Sequence, residues 1–367
     1  MKIVHVLLSL KGGGIQNFLL SLAPEQVRMG HEVTIIVTDE DDLSYSIKNK
    51  EYLESFDIPV YSLNRKVSDK VSFFKTWFAL RRLLKKLNPD IVNSHGIYCH
   101  NAVAFSVLGT GISHCCTIHS APEKWGKMTK LINHGTPLIY CSEAAYQLRE
   151  QKTFQMIAIN NGIDEKKVRC SEVVDLHKEL DIQNDDKIVV LVGSTRPEKN
   201  YPFLIDIVNQ LKDEHIHFCI CGGEYKVARS GANNKSYISL EDFKPYKNIH
   251  LLGLRSDIPA ILNGADAYLS CSIREGLPIS ALEAFFSGIP CILSPIPQHT
   301  MISDGISFCF IPSKFDPKEF VDSIYEALKC SDSHEMVYSQ RKEKLKNFLI
   351  DRCAKEYIDF YKQVISK

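Results

Sequence analysis

Short apolar runs alternate with helix-length stretches along almost all of this 367-residue chain, and the alternation starts afresh after residue 170. In the first half such runs occupy residues 3–8, 31–37, 91–95, 115–119 and 138–141, with a glycine turn and a helix predicted over 15–29. In the second half they occupy residues 187–193, 216–221, 249–252, 267–270, 291–293 and 308–311, with a helix predicted over 201–211. Strands this short and apolar, separated by helices, belong in a parallel sheet covered on both faces. Two successive runs predict two doubly wound, Rossmann-like α/β domains joined near residues 164–180, and ligands bind such sheets at the carboxyl ends of their strands. Two facing domains would then enclose one deep cleft. A last helix is predicted over residues 341–365, where apolar positions recur at helical spacing.

Composition narrows the function classes. With 44% hydrophobic and 24% charged residues the chain reads as globular, and a formal net charge of zero argues against a general nucleic-acid binder. The apolar run at residues 1–8 is too short for a secretion signal and reads as a first buried strand. No window reaches the ~18 apolar residues of a membrane span. Twelve cysteines lie mostly inside apolar runs, with no Cys-x2-Cys pair. They read as free core thiols in a reducing, cytoplasmic setting rather than as zinc ligands.

The most informative local segment is residues 272–284, which sets Glu275 and Glu283 across a loop-to-helix junction. Pro278 suits the first turn of a helix, and Gly276 allows close backbone approach to a ligand and a positive φ. The helix is expected to stop at Gly288-Ile289-Pro290. Glu275 then sits beside free helix N–H groups, which attract phosphate. Glu283 lies about one turn further in, among Ala281, Leu282, Ala284, Phe285 and Phe286, where an unbonded carboxylate is costly. Two carboxylates flanking a helix start can hold hydroxyls on either side of a diphosphate. The competing reading is a pair of solvated helix acids.

Other segments carry weaker signals. Lys11-Gly12-Gly13-Gly14 follows the first strand and opens a helix, so Gly13 and Gly14 can line a ligand or simply make a turn. Asn17 at the sixth position breaks the dinucleotide pattern Gly-x-Gly-x-x-Gly. After the first strand of the second half, Gly193 leads into a loop where Arg196 and Lys199 can face a diphosphate or solvent. His95 and His119 both end predicted strands, as ligand-facing or as structural residues. The run Asp39-Glu40-Asp41-Asp42 reads as a solvated acidic loop. Residues 70–87 combine Lys70, Lys75, Arg81, Arg82, Lys85 and Lys86 with Phe73, Phe74, Trp77 and Phe78. Such a helix can lie on an anionic membrane, pack on the sheet, or do both.

Taken in order, these segments resemble the retaining GT-B glycosyltransferases of family 4 (glycosyl transferases group 1). The resemblance rests on Gly12-Gly13-Gly14, Ser94-His95-Gly96, Thr117-Ile118-His119, Cys141-Ser142-Glu143, Asn161-Gly162-Ile163-Asp164 and the Glu-x7-Glu pair of Glu275 and Glu283, followed by Gly288-Ile289-Pro290. It spans essentially the whole chain. It implies an N-terminal acceptor domain over 1–168, a C-terminal donor domain over 169–345, and a helix over 346–367 that crosses back to the first domain.

The resemblance also implies roles. Glu283 would bond the donor ribose. Glu275 and His119 would lie by the transferred sugar, with backbone N–H groups around Gly276 and Leu277 near phosphate and sugar. Lys199 would bind the diphosphate, with Arg196 and Gly193 beside it. Gly13, Gly14 and His95 would line the acceptor and phosphate side. The implied partners are a nucleotide-sugar donor, UDP-linked in preference to GDP-linked, and a glycan or lipid-linked hydroxyl acceptor at the inner face of the cell membrane. No obligatory metal or other cofactor is expected. The chain departs from the family at Ser194, where an arginine is usual, and at Ser294–Met301, which replaces a Gly-Gly and a further glutamate. The departure at Ser194 leaves room for a non-catalytic nucleotide-sugar binder, and a GT-B-fold nucleotide-sugar epimerase shares the architecture. A nicotinamide dehydrogenase of the same general fold is opposed by the broken glycine pattern.

Overall fold

The computed structural model describes residues 1–39, 44–66, 72–120, 122–153, 155–170, 172–211, 215–223 and 239–366. It divides into two compact units, Met1–Ile163 with Phe348–Lys367, and Asp164–Asn347.

Among the described residues, the first unit holds seven parallel strands: β1 (Lys2–Leu7), β2 (Glu32–Asp39), β3 (Val60–Arg65), β4 (Ile91–His95), β5 (Ser113–Ile118), β6 (Leu138–Tyr140) and β7 (Met156–Ala158). Their order is β3-β2-β1-β4-β5-β6-β7. The strand order therefore reverses between β1 and β4, where a doubly wound sheet opens a crevice at its carboxyl edge. β3 and β7 were not expected from the sequence. Both are edge strands, and β3 exposes Tyr61, Ser62 and Asn64, so neither shows the continuous apolar run of a central strand.

The second unit holds six parallel strands among its described residues: β8 (Lys187–Val192), β9 (Ile216–Cys221), β10 (Ile249–Gly253), β11 (Ala267–Ser270), β12 (Cys291–Leu293) and β13 (Cys309–Phe310). Their order is β10-β9-β8-β11-β12-β13, with the reversal between β8 and β11. All twelve cysteines are unpaired thiols and most are buried.

The helix expected over 341–365 is two helices. His334–Leu345 belongs to the second unit and Ile350–Ile365 to the first. Between them Leu349 is extended, Ile163 N–H donates to Phe348 O at 2.7 Å, and Ile350 N–H donates to Ile163 O at 3.0 Å. A Cβ on Gly162 would stand 2.5 Å from Ile350 Cα. The glycine of Asn161-Gly162-Ile163-Asp164 thus admits the returning backbone. Asp164 then caps the next short helix through the N–H groups of Lys166 and Lys167. The last helix buries Cys353, Tyr357, Ile358, Phe360 and Tyr361 in the core of the first unit.

In the second unit, Arg341 is fully buried and acts as a carbonyl clamp. Its guanidinium donates to Ser307 O (2.8 Å), Ile289 O (2.9 Å) and Phe308 O (3.1 Å). It thereby ties Ile289 O, just past the helix Ile279–Ser287 that Gly288 closes at φ 82, to Ser307 O and Phe308 O just before β13. That helix is consequently held from behind.

The helix Ser72–Leu87 buries Thr76, Leu80 and Leu84 but leaves Phe74 59% and Phe78 73% exposed. Only part of the aromatic stripe is used for packing. Lys70 lies outside the described residues, as do Glu40, Asp41 and Asp42 of the acidic run. Asp39 itself pairs with Arg65. Among the described residues no helix is long and apolar enough to cross a membrane.

Candidate functional site

The loops that leave β8 and β11 bound the switch point of the second sheet. The β8 loop begins at Gly193, where φ is 153. A Cβ there would come within 2.7 Å of Lys199 Cε, so the glycine lets the lysine stem lie across the strand end. Gly222, after β9, packs just as closely, because its Cβ would stand 1.9 Å from Gly193 O. Gly222 was not singled out from the sequence; its signal is the Gly-Gly pair directly after an apolar run. A single 3-10 turn, Pro197–Lys199, then aims the lysine, and Asn200 at φ 54 starts the helix Tyr201–Gln210. Arg196 is exposed at the start of that turn.

Lys199 Nζ donates to Glu275 Oε1 at 2.8 Å, joining the two loops. The backbones are joined as well: Ile273 N–H donates to Glu198 O at 2.9 Å, and Arg274 pairs with the Glu198 side chain at the exposed rim. Burial pushes the Glu275 carboxyl up, but the Lys199 ammonium and the Ser272 hydroxyl outweigh it and hold the group below its ordinary range. Glu275 is therefore a carboxylate with a dedicated counter-ion.

His299 was not marked from the sequence as a site residue. It is completely buried, and burial lowers its pKa to about 4, so it stands neutral behind Glu275. Its Nδ1 lies 3.0 Å from both the hydroxyl and the carbonyl oxygen of Ser294, and the Ser294 hydroxyl donates to Ser272 O. The divergent Ser294–Met301 stretch thus supports the Glu275 loop.

Gly276 and Leu277 are buried and lead into the helix Ile279–Ser287. Gly276 is not among the positive-φ residues, so its value is close approach rather than an unusual backbone conformation. Pro278 stands just before the first helical residue, not inside the first turn. Glu283 is half-buried in that helix, and no hydrogen-bond partner reaches its carboxyl among the described residues. Burial raises its pKa to about 7, with Lys167 opposing the rise. A half-buried acid without a partner is poised to accept hydrogen bonds from a ligand.

In the first unit, Gly13 precedes the helix Gly14–Arg28 in an extended conformation that any residue adopts, and the space over Gly14 is open. These glycines supply clearance rather than a strained turn. At the adjoining strand ends, His95 Nδ1 lies 2.8 Å from His119 Nε2, and His95 Nε2 lies 3.0 Å from His5 Nδ1. The chain ends at the Gln26 amide, 2.9 Å from His5 Nε2. His95 is 1% exposed, with both ring nitrogens engaged, so it offers no atom to a ligand, contrary to its expected place in an acceptor loop. His119 is half-buried and remains able to meet one. Burial holds all three rings neutral, lowering His5 to about 4, His119 to about 3 and His95 well below its ordinary value. His5 and Gln26 carry no motif and were missed.

Among the described residues, no group of three or more His, Cys, Asp or Glu is arranged to hold a metal ion. The second unit thus supplies a carboxylate paired with a cation, a helix start, and a second carboxyl with no hydrogen-bond partner among the described residues. The first unit supplies a neutral imidazole, His119, whose ring meets Phe18 of the helix Gly14–Arg28.

Comparison with known proteins gives two family matches, Glycosyltransferase Family 4 over residues 12–167 and Glycosyl transferases group 1 over residues 174–344. The chain is 25% identical over 343 residues to the Escherichia coli UDP-Gal:alpha-D-GlcNAc-diphosphoundecaprenol alpha-1,3-galactosyltransferase, covering 86% of this chain and 83% of that one. It is 25% identical over 314 residues to the Campylobacter jejuni N,N'-diacetylbacillosaminyl-diphospho-undecaprenol alpha-1,3-N-acetylgalactosaminyltransferase, covering 78% and 79%. Among solved structures, Anabaena HepE in complex with UDP and glucose superposes with a TM-score of 0.78 at 15% identity, over 99% of this chain and 100% of that one. A glycosyltransferase from Rickettsia africae superposes with a TM-score of 0.77 at 16% identity, over 100% and 99%. At these identities the structures speak to the fold alone.

Proposed function

Because the chain belongs to the GT-B glycosyltransferases of family 4 (glycosyl transferases group 1), we propose that it moves a sugar from a UDP-sugar to a glycan or lipid-linked hydroxyl, with retention at the anomeric carbon. The observation that carries this reading is the division of labour between two glutamates at one helix start. Glu275 is bound by Lys199, while Glu283 has no hydrogen-bond partner among the described residues and suits a ribose diol. Lys199, Arg196 and the N–H groups around Gly276 and Leu277 would neutralise the departing diphosphate, whose charge is what the transition state develops. The bond from the anomeric carbon to the diphosphate oxygen breaks as the acceptor oxygen bonds to that carbon. The acceptor proton passes to the leaving phosphate. Glu275 would lie beside the transferred sugar. No metal is required for this balance of charge.

UDP is therefore expected to raise the melting temperature of the purified protein, with smaller shifts from GDP, ADP, CMP and NAD. The relatives named for undecaprenol-linked acceptors support a lipid-linked acceptor, and incubation of UDP-sugars with such an acceptor should yield an α-glycoside by NMR. A β product would overturn retention. Free sugar or epimerised donor, without transfer, would favour an epimerase.

We place membrane contact on the outer face of the helix Ser72–Leu87. Exposed Phe74 and Phe78 lie on the same helix as exposed Lys75, Arg82, Lys85 and Lys86. Aromatics insert at a headgroup boundary, and each basic residue near an anionic surface contributes about 1 kcal/mol. The protein should float with vesicles containing anionic phospholipid but not with neutral ones. The double change Phe74→Asp, Phe78→Asp should abolish flotation without lowering the melting temperature. Unchanged flotation would remove this helix from the membrane contact.

A further inference from the structure

Six of the nine residues of the helix Ile279–Ser287 are buried, and its open stripe holds only Ile279, Ser280 and Glu283. Ser280 and Glu283 stand three positions apart, so they share one helix face, with Ser280 about 4.5 Å nearer the helix start. A ligand seated on the Glu283 carboxyl and extending toward the helix start meets the Ser280 hydroxyl.

The fold leaves that hydroxyl with a proton to give. Ser280 Oγ lies 2.8 Å from the Tyr268 phenol oxygen, and neither hydroxyl has another hydrogen-bond partner among the described residues. Tyr268 stands on β11 and is 2% exposed, and burial pushes its pKa up, so the phenol keeps its proton. The charges of Glu275 and Glu283 add to that rise, which places the phenol close to both acids. Two protons thus share one hydrogen bond. If Ser280 donated, the phenol proton would be buried without an acceptor, at the full cost of desolvation. If Tyr268 donates, the proton left over belongs to half-buried Ser280, where solvent or a ligand can accept it. Only the second arrangement leaves no buried proton unmet.

We propose that Ser280 is a further donor-binding residue, whose hydroxyl, oriented by Tyr268, donates to an oxygen of the phosphate next to the ribose held by Glu283. Tyr268 is a positioning residue in this scheme. The role rests on the donor reading above and assigns one phosphate of the nucleotide to one side chain. Polarity separates the two partners. An ionised carboxylate only accepts, so Glu283 suits the ribose hydroxyls. A phosphate oxygen also only accepts, so it needs a donor such as Ser280. Position agrees with polarity, because the helix start, toward which Ser280 lies, is the end that draws anions.

The test is isothermal titration calorimetry of the full chain with UDP, UMP and uridine, at a pH above 7 so that Glu283 is ionised. Ser280→Ala should lower the affinity for UDP and for UMP about tenfold, the scale of one hydrogen bond to a charged group, and leave that for uridine within about twofold of wild type. Ser280→Thr keeps a hydroxyl and should stay within about threefold of wild type for all three ligands. Tyr268→Phe leaves the Ser280 hydroxyl unoriented and should cost about threefold for UDP and UMP, with uridine again unchanged. The steady uridine affinity also shows that each variant is folded. Wild-type affinity for UMP in Ser280→Ala would overturn the proposal and leave the donor reading standing. An equal loss for uridine and UMP would put Ser280 on the nucleoside and overturn it in the same way. Wild-type protein that binds none of the three would overturn the donor reading and the proposal together.

Discussion

Lys199→Ala is expected to lower kcat by about 10²- to 10³-fold, the usual cost of removing one group that stabilises developing charge. The substitution has two consequences in the structure. The diphosphate loses the cation aimed at it by the Pro197–Lys199 turn. Glu275 also loses its 2.8 Å counter-ion while remaining largely buried, so its pKa moves up from its present depressed value. The residual activity of the variant should therefore fall away at a higher pH than wild-type activity as the solution is acidified. Lys199→Arg keeps the charge but not the compact reach over Gly193, and recovery should be partial. Steady-state rates across pH check both points. A wild-type rate in Lys199→Ala would remove the lysine from the diphosphate site.

Glu283→Gln should weaken UDP binding by about tenfold or more, because a carboxylate that accepts two ribose hydroxyls is replaced by a single accepting oxygen. The same change should stabilise the ligand-free protein above neutral pH. Burial raises the folded-state pKa of Glu283 from 4.5 to about 7. A carboxyl with a raised pKa binds its proton more tightly in the folded than in the unfolded chain. Its contribution to stability is accordingly lost as pH climbs from about 4.5 through about 7. Glutamine has no such dependence. The variant should melt about 2 °C or more above wild type at pH 8 and near it at pH 5. Wild-type UDP affinity should fall below pH 7, whereas that of Glu283→Gln should stay flat. Thermal melts with and without UDP at several pH values measure all of this. Normal UDP affinity in the variant would contradict the ribose role.

The readable parts of this site share a property: each is written within one short segment. The loop 193–200 announces its turn through Gly193 and Pro197, and its cations through Arg196 and Lys199. The loop 272–278 announces its helix through Pro278 and the apolar run that follows. His119 was marked because it ends a strand. His95 was marked for the same reason, yet it is consumed by its neighbours, since a strand end does not say which ring nitrogens will be met. His5 sits in the middle of β1 and Gln26 near the end of a helix, in settings that look like ordinary core and ordinary helix. Only their meeting with His95, 90 residues from His5, makes them a line of hydrogen bonds. Similarly, Ser294 and His299 looked like a loss of family pattern until the fold set them behind Glu275.

The sequence by itself determined the alternation of strands and helices, hence two parallel sheets, and it determined which loops carry charge at strand ends. Those properties follow from side-chain periodicity and turn chemistry over a few residues, which act before any long-range contact forms. Only the tertiary structure decided the strand order, the two edge strands and the break before Ile350. It also decided the pairing of Lys199 with Glu275, 76 residues apart, and the burial that lifts one glutamate while its neighbour is held down. Protonation depends on the three-dimensional balance of desolvation and nearby charge. Two glutamates eight positions apart in one segment can therefore end as chemically different groups.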